Sequence, residues 1–348
     1  MLQRWLDHEA GDAQIVSAFA GSAQHMMQGL ALDSSSPLFG RAKEIFALNP
    51  LPANCIGEVT GGDDPCDKIR SFSVFGGVPR YWELAKPFGA DLNSAVDALM
   101  LDPMGPLHLE PDRLLAMENP PATSLRSLLD VIGAGAHRVS EIGGRLGQPA
   151  TALSRNLGRL CQLGFVKREK PFGEHERGSK RTLYRLNDPF LRTWFKTAAP
   201  HRAFLAAAGR TDRLKLWRVA AKQIFAETFE DMARDCVPRL VSSRSALAQA
   251  GPFGPAGRYW EPGGKEWDIV ALSSDGKKIL LGEVKWSDSG DPGRATGKAV
   301  TDLLRKGMPK NKQWAHLEPV FAVFVPQASA AHSDVLVIDA AEVVQALV

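Results

Sequence analysis

At 348 residues, 44% hydrophobic and 23% charged, the chain has room for two or three domains with apolar cores, and its net charge of only +3 excludes a uniformly basic binder. Four scattered cysteines without a CxxC pair argue against a zinc site and a disulfide framework, and point to a reducing cytoplasm. No apolar run reaches the length of a membrane span and no signal peptide opens the chain, so no membrane partner is expected.

The first expected region is 1–118. MLQRWLDHEAG reads as a helix, residues 15–22 as an apolar strand, and AQHMMQGL as a short helix. Ile45 to Leu48 suggest another short strand before Pro50. FGGVPRYWELA at 75–85 places a Gly-Gly-x-Pro turn before an aromatic helix. Prolines between 103 and 121 interrupt helices, and DRLLAMENP is a short helix leading to a boundary.

Three of these strings, GSAQHMM, PLFGRA with Arg41, and FGGVPRYWE, resemble in order and spacing the archaeal-type ATPase family, a P-loop branch that also occurs in bacteria. The departure matters as much as the match. No GxxxxGK[ST] occurs; the nearest string, GRATGKA from Gly293, has three residues between its glycines and alanine after its lysine. Without that loop there is no cradle of backbone N–H groups for phosphates, and no ATP hydrolysis is expected. By this resemblance the chain starts just after the family's metal-binding acids, as a natural remnant, a misannotated start or a fragment.

Residues 119–198 are expected to form a winged helix. SLRSLLDVIGAG has a helical apolar period, RVSEIGGRLG is a short helix with Ser140 as its cap, and a longer helix follows. Ala152, Leu153, Leu157 and Leu160 line one face of that helix, and Gly164 ends it. Phe165–Arg168 and Thr182–Leu186 read as two strands around a polar loop. Helix, short helix, recognition helix and hairpin is the winged helix-turn-helix order. Between 137 and 185 eleven basic residues face four acidic ones, a local excess that suits phosphate. The expected nucleic-acid contacts are Ser154, Arg155 and Arg159 on the helix with Lys167, Arg168, Lys180 and Arg181 on the wing. YRLNDPFLRTWFK at 184–196 continues the ATPase-family resemblance, and its aromatics read as core.

Residues 199–348 hold the chemistry. RLKLWRVAAKQIFAETFEDMARDCV is a long helix with Leu216, Ala220, Ile224, Phe225 and Phe229 on its apolar side. Arg258–Trp260 is a strand. EWDIVALSSDGKKILLGEVKW is a hairpin with Ser-Ser-Asp-Gly as its turn. Glu283 and Lys285 are two apart and share a strand face, and the hairpin brings Asp268 back to Glu283. Hard oxygen ligands on rigid strands suit Mg²⁺ or Mn²⁺, and a lysine beside them offsets charge on a phosphate. A helix, a strand, a second strand and a terminal helix complete the region. Lys298, Arg305, Lys306, Lys310 and Lys312 follow the hairpin, where they meet a phosphate backbone or solvent.

The hairpin resembles the PD-(D/E)XK nuclease superfamily. That resemblance implies Asp268 and Glu283 as metal ligands and Lys285 as the residue assisting the attacking water. It adds an acid from the preceding helix: Glu230 is the better match, Glu227 lies a turn earlier, and Glu266 is a further acid on the hairpin. The whole reading is an α/β multidomain chain: a truncated P-loop ATPase part, a winged helix and an α/β nuclease-like domain. Its expected partner is nucleic acid, DNA first, and homo-oligomerisation is left open. The alternatives are a non-catalytic DNA-binding or regulatory protein and an ATPase remnant.

Overall fold

Short helices, several opened by a proline or a capping aspartate, build the stretch before residue 118 in the computed structural model, which describes residues 48–347 apart from 119–122, 175–180, 241–244, 288–290 and 329–333, with scattered positions among the first 47. They are α1 (Ile56–Thr60), α2 (Pro65–Phe75), α3 (Pro79–Ala85), α4 (Leu92–Val96) and α5 (Glu110–Met117). Asp64 caps α2 by accepting from the Asp67 N–H, Asp91 does the same for Ser94 in α4, and prolines open α2 and α3. No helix of the described residues is long and apolar enough to cross a membrane.

The chain divides into two compact units, one of residues 1–49 with 109–128 and one of residues 50–108 with 129–348. In the first, Leu115, Leu125 and Leu128 are buried and Arg126 ion-pairs with Asp112. The strands expected at 15–22 and 45–48 are not formed at the described positions. Residues 16–18 and 20 are irregular and exposed, as are Ile45, Phe46 and Leu48. An apolar run becomes a strand only beside a neighbour that takes up its backbone groups, and among the described residues none adjoins these. The helical reading of 23–30 lies outside the described residues.

The helix α6 (Arg126–Gly133) runs from the first unit into the second, where α7 (Val139–Leu146) and α8 (Ala150–Gln162) precede β1 (Val166–Glu169), which pairs antiparallel with β2 (Leu183–Leu186). Leu153, Leu157 and Leu160 are buried, whereas Ala152 is exposed. Gly164 takes φ +73° and turns the chain into β1. Ser140 is not the cap of α7: Glu141 reaches back to accept from the N–H groups of His137 and Arg138 at 3.0 and 3.1 Å. A carboxylate there also meets the positive end of the helix dipole.

Two of the strings singled out in the sequence lock onto each other. Asp188 caps α9 (Pro189–Thr197), and its carboxylate lies where a side chain on Gly76 would point: a Cβ there would sit 2.9 Å from Asp188 Oδ2. Gly76 also holds φ +59°, which favours glycine. The Trp82 indole donates to the Gly76 carbonyl at 2.6 Å, the Tyr81 and Phe190 rings stand 4.6 Å apart, and Thr193 donates to the Ser73 carbonyl at 2.8 Å. Phe190, Trp194 and Phe195 are buried, as their core reading requires.

After α10 (Arg202–Ala207), the long helix α11 runs from Arg210 to Cys236. Ile224, Phe225 and Phe229 are buried, but Leu216 and Ala220 are only half-buried; Trp217 takes the inward position, its indole donating to Asn93 at 2.9 Å. The helix packs on α2, on α9, on the central sheet and on the terminal helix. The short α12 (Ala246–Ala250) leads into β3 (Gly257–Trp260), β4 (Glu266–Leu272) and β5 (Lys278–Val284), then α13 (Pro292–Lys306), β6 (Glu318–Val325), β7 (Leu336–Asp339) and α14 (Ala340–Ala346). The five strands form one mixed sheet in chain order, β3, β4 and β5 antiparallel and β5, β6 and β7 parallel. α13 is the crossover that parallel pairing of β5 with β6 demands. Its residues Ala299, Val300 and Leu303 pack with Trp267, Ile279 and Leu281 of the sheet, so one face of the sheet and the inner stripe of α13 share a core.

Candidate active site

Backbone register sets the site. β4 pairs with β5 from Leu272 opposite Ile279 to Ile269 opposite Gly282, so Asp268 and Glu283 face each other where the ladder ends. Between β3 and β4 the register slips by one residue, between Gly257 and Tyr259, so that Asp268 and Ile269 both fall opposite Arg258. Such a bulge re-aims a side chain. Asp268 uses it to turn one carboxylate oxygen onto the Val284 N–H at 2.9 Å. Gly282 is glycine because a Cβ there would lie 2.8 Å from the Ile269 side chain.

Glu283 and Lys285 follow Ile279 and Leu281 on the α13 side of β5. Glu283 is 3% exposed and is held by two ammonium groups. Lys285 approaches one oxygen at 2.6 Å, and Lys306, from the last turn of α13, pairs with the other. Burial works against the Lys285 ammonium. Its bond to Glu283 and the charges of Glu283, Asp268 and Glu230 outweigh that and raise its pKa above the ordinary lysine value. Lys285 is therefore a charged donor at neutral pH and not a base.

Glu230 comes from α11. Burial first, then the negative charge of Asp268, pushes its carboxyl up to about 7. Arg234, one turn on, stands 3.9 Å from Glu230 and donates to the Asp268 carbonyl at 3.2 Å. The four residues named from the sequence, Glu230, Asp268, Glu283 and Lys285, thus meet at one place. Glu266 does not join them: it pairs with Arg258. Glu227 pairs with Lys196 and points toward Arg185 instead.

Sequence reasoning named Lys306 as meeting a phosphate backbone or solvent, and left Arg234 and Arg258 without a role in the site. The signal for the first two is helical spacing: Lys306 continues the Ala299–Leu303 stripe, and Arg234 continues the row from Glu227 and Glu230. The bulge that sets Arg258 opposite Asp268 leaves no compositional trace.

Beside the site an ion network joins the β1–β2 hairpin to α11. Asp231 takes Lys167 and Arg192 at 2.8 Å each and Arg234 at 2.5 Å. Burial opposes the Asp231 charge, but these cations hold its carboxyl well below the usual range. Lys167 also stands 3.2 Å from Glu169, so its ammonium is engaged within the network. Ser154, Arg155 and Arg168 are exposed, and Arg159 is half-buried one turn after Arg155. Arg181 stands 2.8 Å from Glu174, with its guanidinium over the Tyr259 and Trp260 rings at 5.8 and 5.9 Å. Lys180 lies outside the described residues.

The donor set fits a hard divalent cation in chemistry: the Glu230 and Asp268 carboxylates repel each other in a buried setting, which a cation relieves. Among the described residues, however, no three His, Cys, Asp or Glu side chains gather closely enough to form a metal cluster by themselves, and Glu283 is shared between its two lysines.

Comparison with known proteins adds three findings. Residues 194–296 match the DUF234 family, described as archaea bacterial proteins of unknown function. The chain is 27% identical over 307 residues to the uncharacterized protein MJECL04 of Methanocaldococcus jannaschii, an overlap of 88% of this chain and 67% of that protein. No solved structure matches the chain significantly. The matched stretch 194–296 contains Glu230, Asp268, Glu283 and Lys285.

Proposed function

We propose that this chain is a DNA-binding protein whose nuclease-like α/β region hydrolyses phosphodiester bonds with Mg²⁺ or Mn²⁺. The observation that carries the reading is the convergence of Glu230, Asp268, Glu283 and Lys285 from one helix and two strands, within reach of each other's charge. Asp268 and Glu283 would hold the cation, with Glu230 beside them. A bound divalent cation lowers the pKa of a coordinated water and offsets charge on the phosphate. Lys285 and Lys306 place two positive charges where a phosphoryl oxygen gains negative charge. Glu230, with a pKa near 7, is suited to exchange a proton with water at neutral pH.

Binding is read from α6, α7, α8 and the β1–β2 hairpin, whose order is that of a winged helix-turn-helix. In this reading α8 presents Ser154, Arg155 and Arg159 to DNA, and Arg168 and Arg181 follow the backbone. The region before residue 118 is read as a partial ATPase-like segment without nucleotide chemistry of its own.

A second reading, a DNA-binding module without catalysis, is favoured by one observation: both oxygens of Glu283 are already held by lysines. Plasmid DNA incubated with Mg²⁺, Mn²⁺ or EDTA separates the two. The nuclease reading expects metal-dependent nicking by wild type that Asp268→Asn abolishes. Well-folded wild type that leaves every DNA form intact selects the binding module.

A further inference from the structure

A cavity of about 540 Å³ opens between the start of α7, the β1–β2 hairpin and the β3–β4 edge of the sheet. Arg138, Arg181, Arg185, Arg258 and Lys265 line it. Its two carboxylates are already engaged: Glu266 pairs with Arg258, and Glu261 accepts from the Lys310 N–H at 2.5 Å. By count the lining holds five cations and two carboxylates, and Arg138, Arg181 and Arg185 pair in addition with Glu141, Glu174 and Glu169 outside it.

Two donors point to what is missing. The Trp260 indole N–H and the Arg258 Nε–H are buried and have no hydrogen-bond partner among the described residues, and Trp260 as a whole is 8% exposed. Buried donors normally find acceptors, and the oxygens of a phosphodiester are acceptors of the kind these two donors take. Arg258, on the cavity wall, also lies within reach of the charges of Glu230 and Asp268. The volume suits a ligand of nucleotide size and is far too small for a double helix.

We infer that this cavity receives an unpaired DNA strand, its phosphates at Arg181 and Lys265 and an acceptor at Trp260, and leads it to the Glu230–Asp268–Glu283 site. The inference rests on the nuclease reading for what happens at the end of the track. The binding step does not depend on it. Aromatic and basic side chains together are the usual means of holding a single strand without sequence preference, and here Trp260 is the aromatic one. The substrate class is thus DNA with single-stranded character: a flap, a gap or a free end.

The test is fluorescence anisotropy in EDTA, where no cleavage intervenes. A short fluorescein-labelled single strand is compared with the same strand annealed as a blunt duplex. Arg181→Ala combined with Lys265→Ala is expected to weaken single-strand binding about tenfold or more and to reduce the slope of log affinity against log salt by about 1.4. Trp260→Phe keeps an aromatic side chain, though a smaller one, and removes the donor, and is expected to cost about threefold to tenfold. Trp260→Phe is expected to leave duplex affinity unchanged, and Arg181→Ala with Lys265→Ala to weaken single-strand binding more than duplex binding. Circular dichroism confirms that the variants are folded. Unchanged single-strand affinity and salt slope in both variants, or a loss confined to duplex, would overturn the inference. Cleavage assays fail or succeed separately: groove variants that lose single-strand binding in a protein that never cleaves would sink the nuclease reading alone.

Discussion

Glu230 carries the most distinctive chemistry of any single residue. Its carboxyl is raised from an ordinary value near 4.5 to about 7 by burial and by Asp268. The folded protein therefore binds a proton there that the unfolded chain releases, and this contribution to stability weakens as pH rises from about 4.5 through 7. Glu230→Gln is expected to remove that decline and to stabilise the protein above pH 7 by up to roughly 3 kcal/mol, seen as a flatter dependence of Tm on pH between 5 and 8. Asp231, one residue on, has the opposite sign. Its carboxyl is depressed by the surrounding cations, so its contribution is present at neutral pH and is lost as pH falls below the ordinary aspartate range. Asp231→Ala strands Lys167, Arg192 and Arg234, and urea titration is expected to show a loss of about 3–5 kcal/mol. At this scale Asp268, Glu283 and Lys285 were legible, because period-2 alternation and hairpin closure follow from local pattern. The pairing of Lys306 with Glu283 was not legible, because the two lie 23 residues apart and nothing local links them.

At the scale of elements, spacing and turn chemistry carried far. The hairpin at Gly276, the strand at Arg258–Trp260, α11, and the helix and strand that follow the hairpin stand where local pattern put them. Where an element depends on a partner, local pattern failed. Val16 and Phe46 belong to apolar runs that read as strands, yet no described neighbour supplies backbone groups to pair with. The bulge at Asp268 was equally invisible, because register belongs to two strands and not to one. The GGVPRYW and DPFLRTWF strings show the converse: each looked like an isolated motif, and the structure makes them two halves of one joint. Gly76→Ala places a Cβ against Asp188 and forces a strained backbone. Thermal or chemical denaturation is expected to register a cost of about 1–3 kcal/mol, while the circular dichroism spectrum stays that of the folded protein.

For the whole molecule, the small net charge hides a strong local asymmetry. Eleven basic residues fall between 137 and 185, but they divide in space: Lys167 and Arg185 turn inward to α11, while Arg155 and Arg168 remain at the surface. Counting charges along the chain therefore overstates the basic surface, and only coordinates separate the two sets. If α8 meets duplex DNA, Arg155→Ala with Arg159→Ala is expected to lower the slope of log affinity against log salt by about 1.8, with little change in stability. The ion network links that surface to the site, since Asp231, which anchors it, adjoins Glu230. Central to the account is that the four converging residues form a metal-dependent phosphodiesterase. The most direct measurement is cleavage of plasmid and linear DNA in Mg²⁺ or Mn²⁺ by wild type, Glu283→Ala and Lys285→Ala, each checked for folding. The account predicts cleavage by wild type that both substitutions abolish. Cleavage that survives both, or none by wild type on any DNA form, would contradict it.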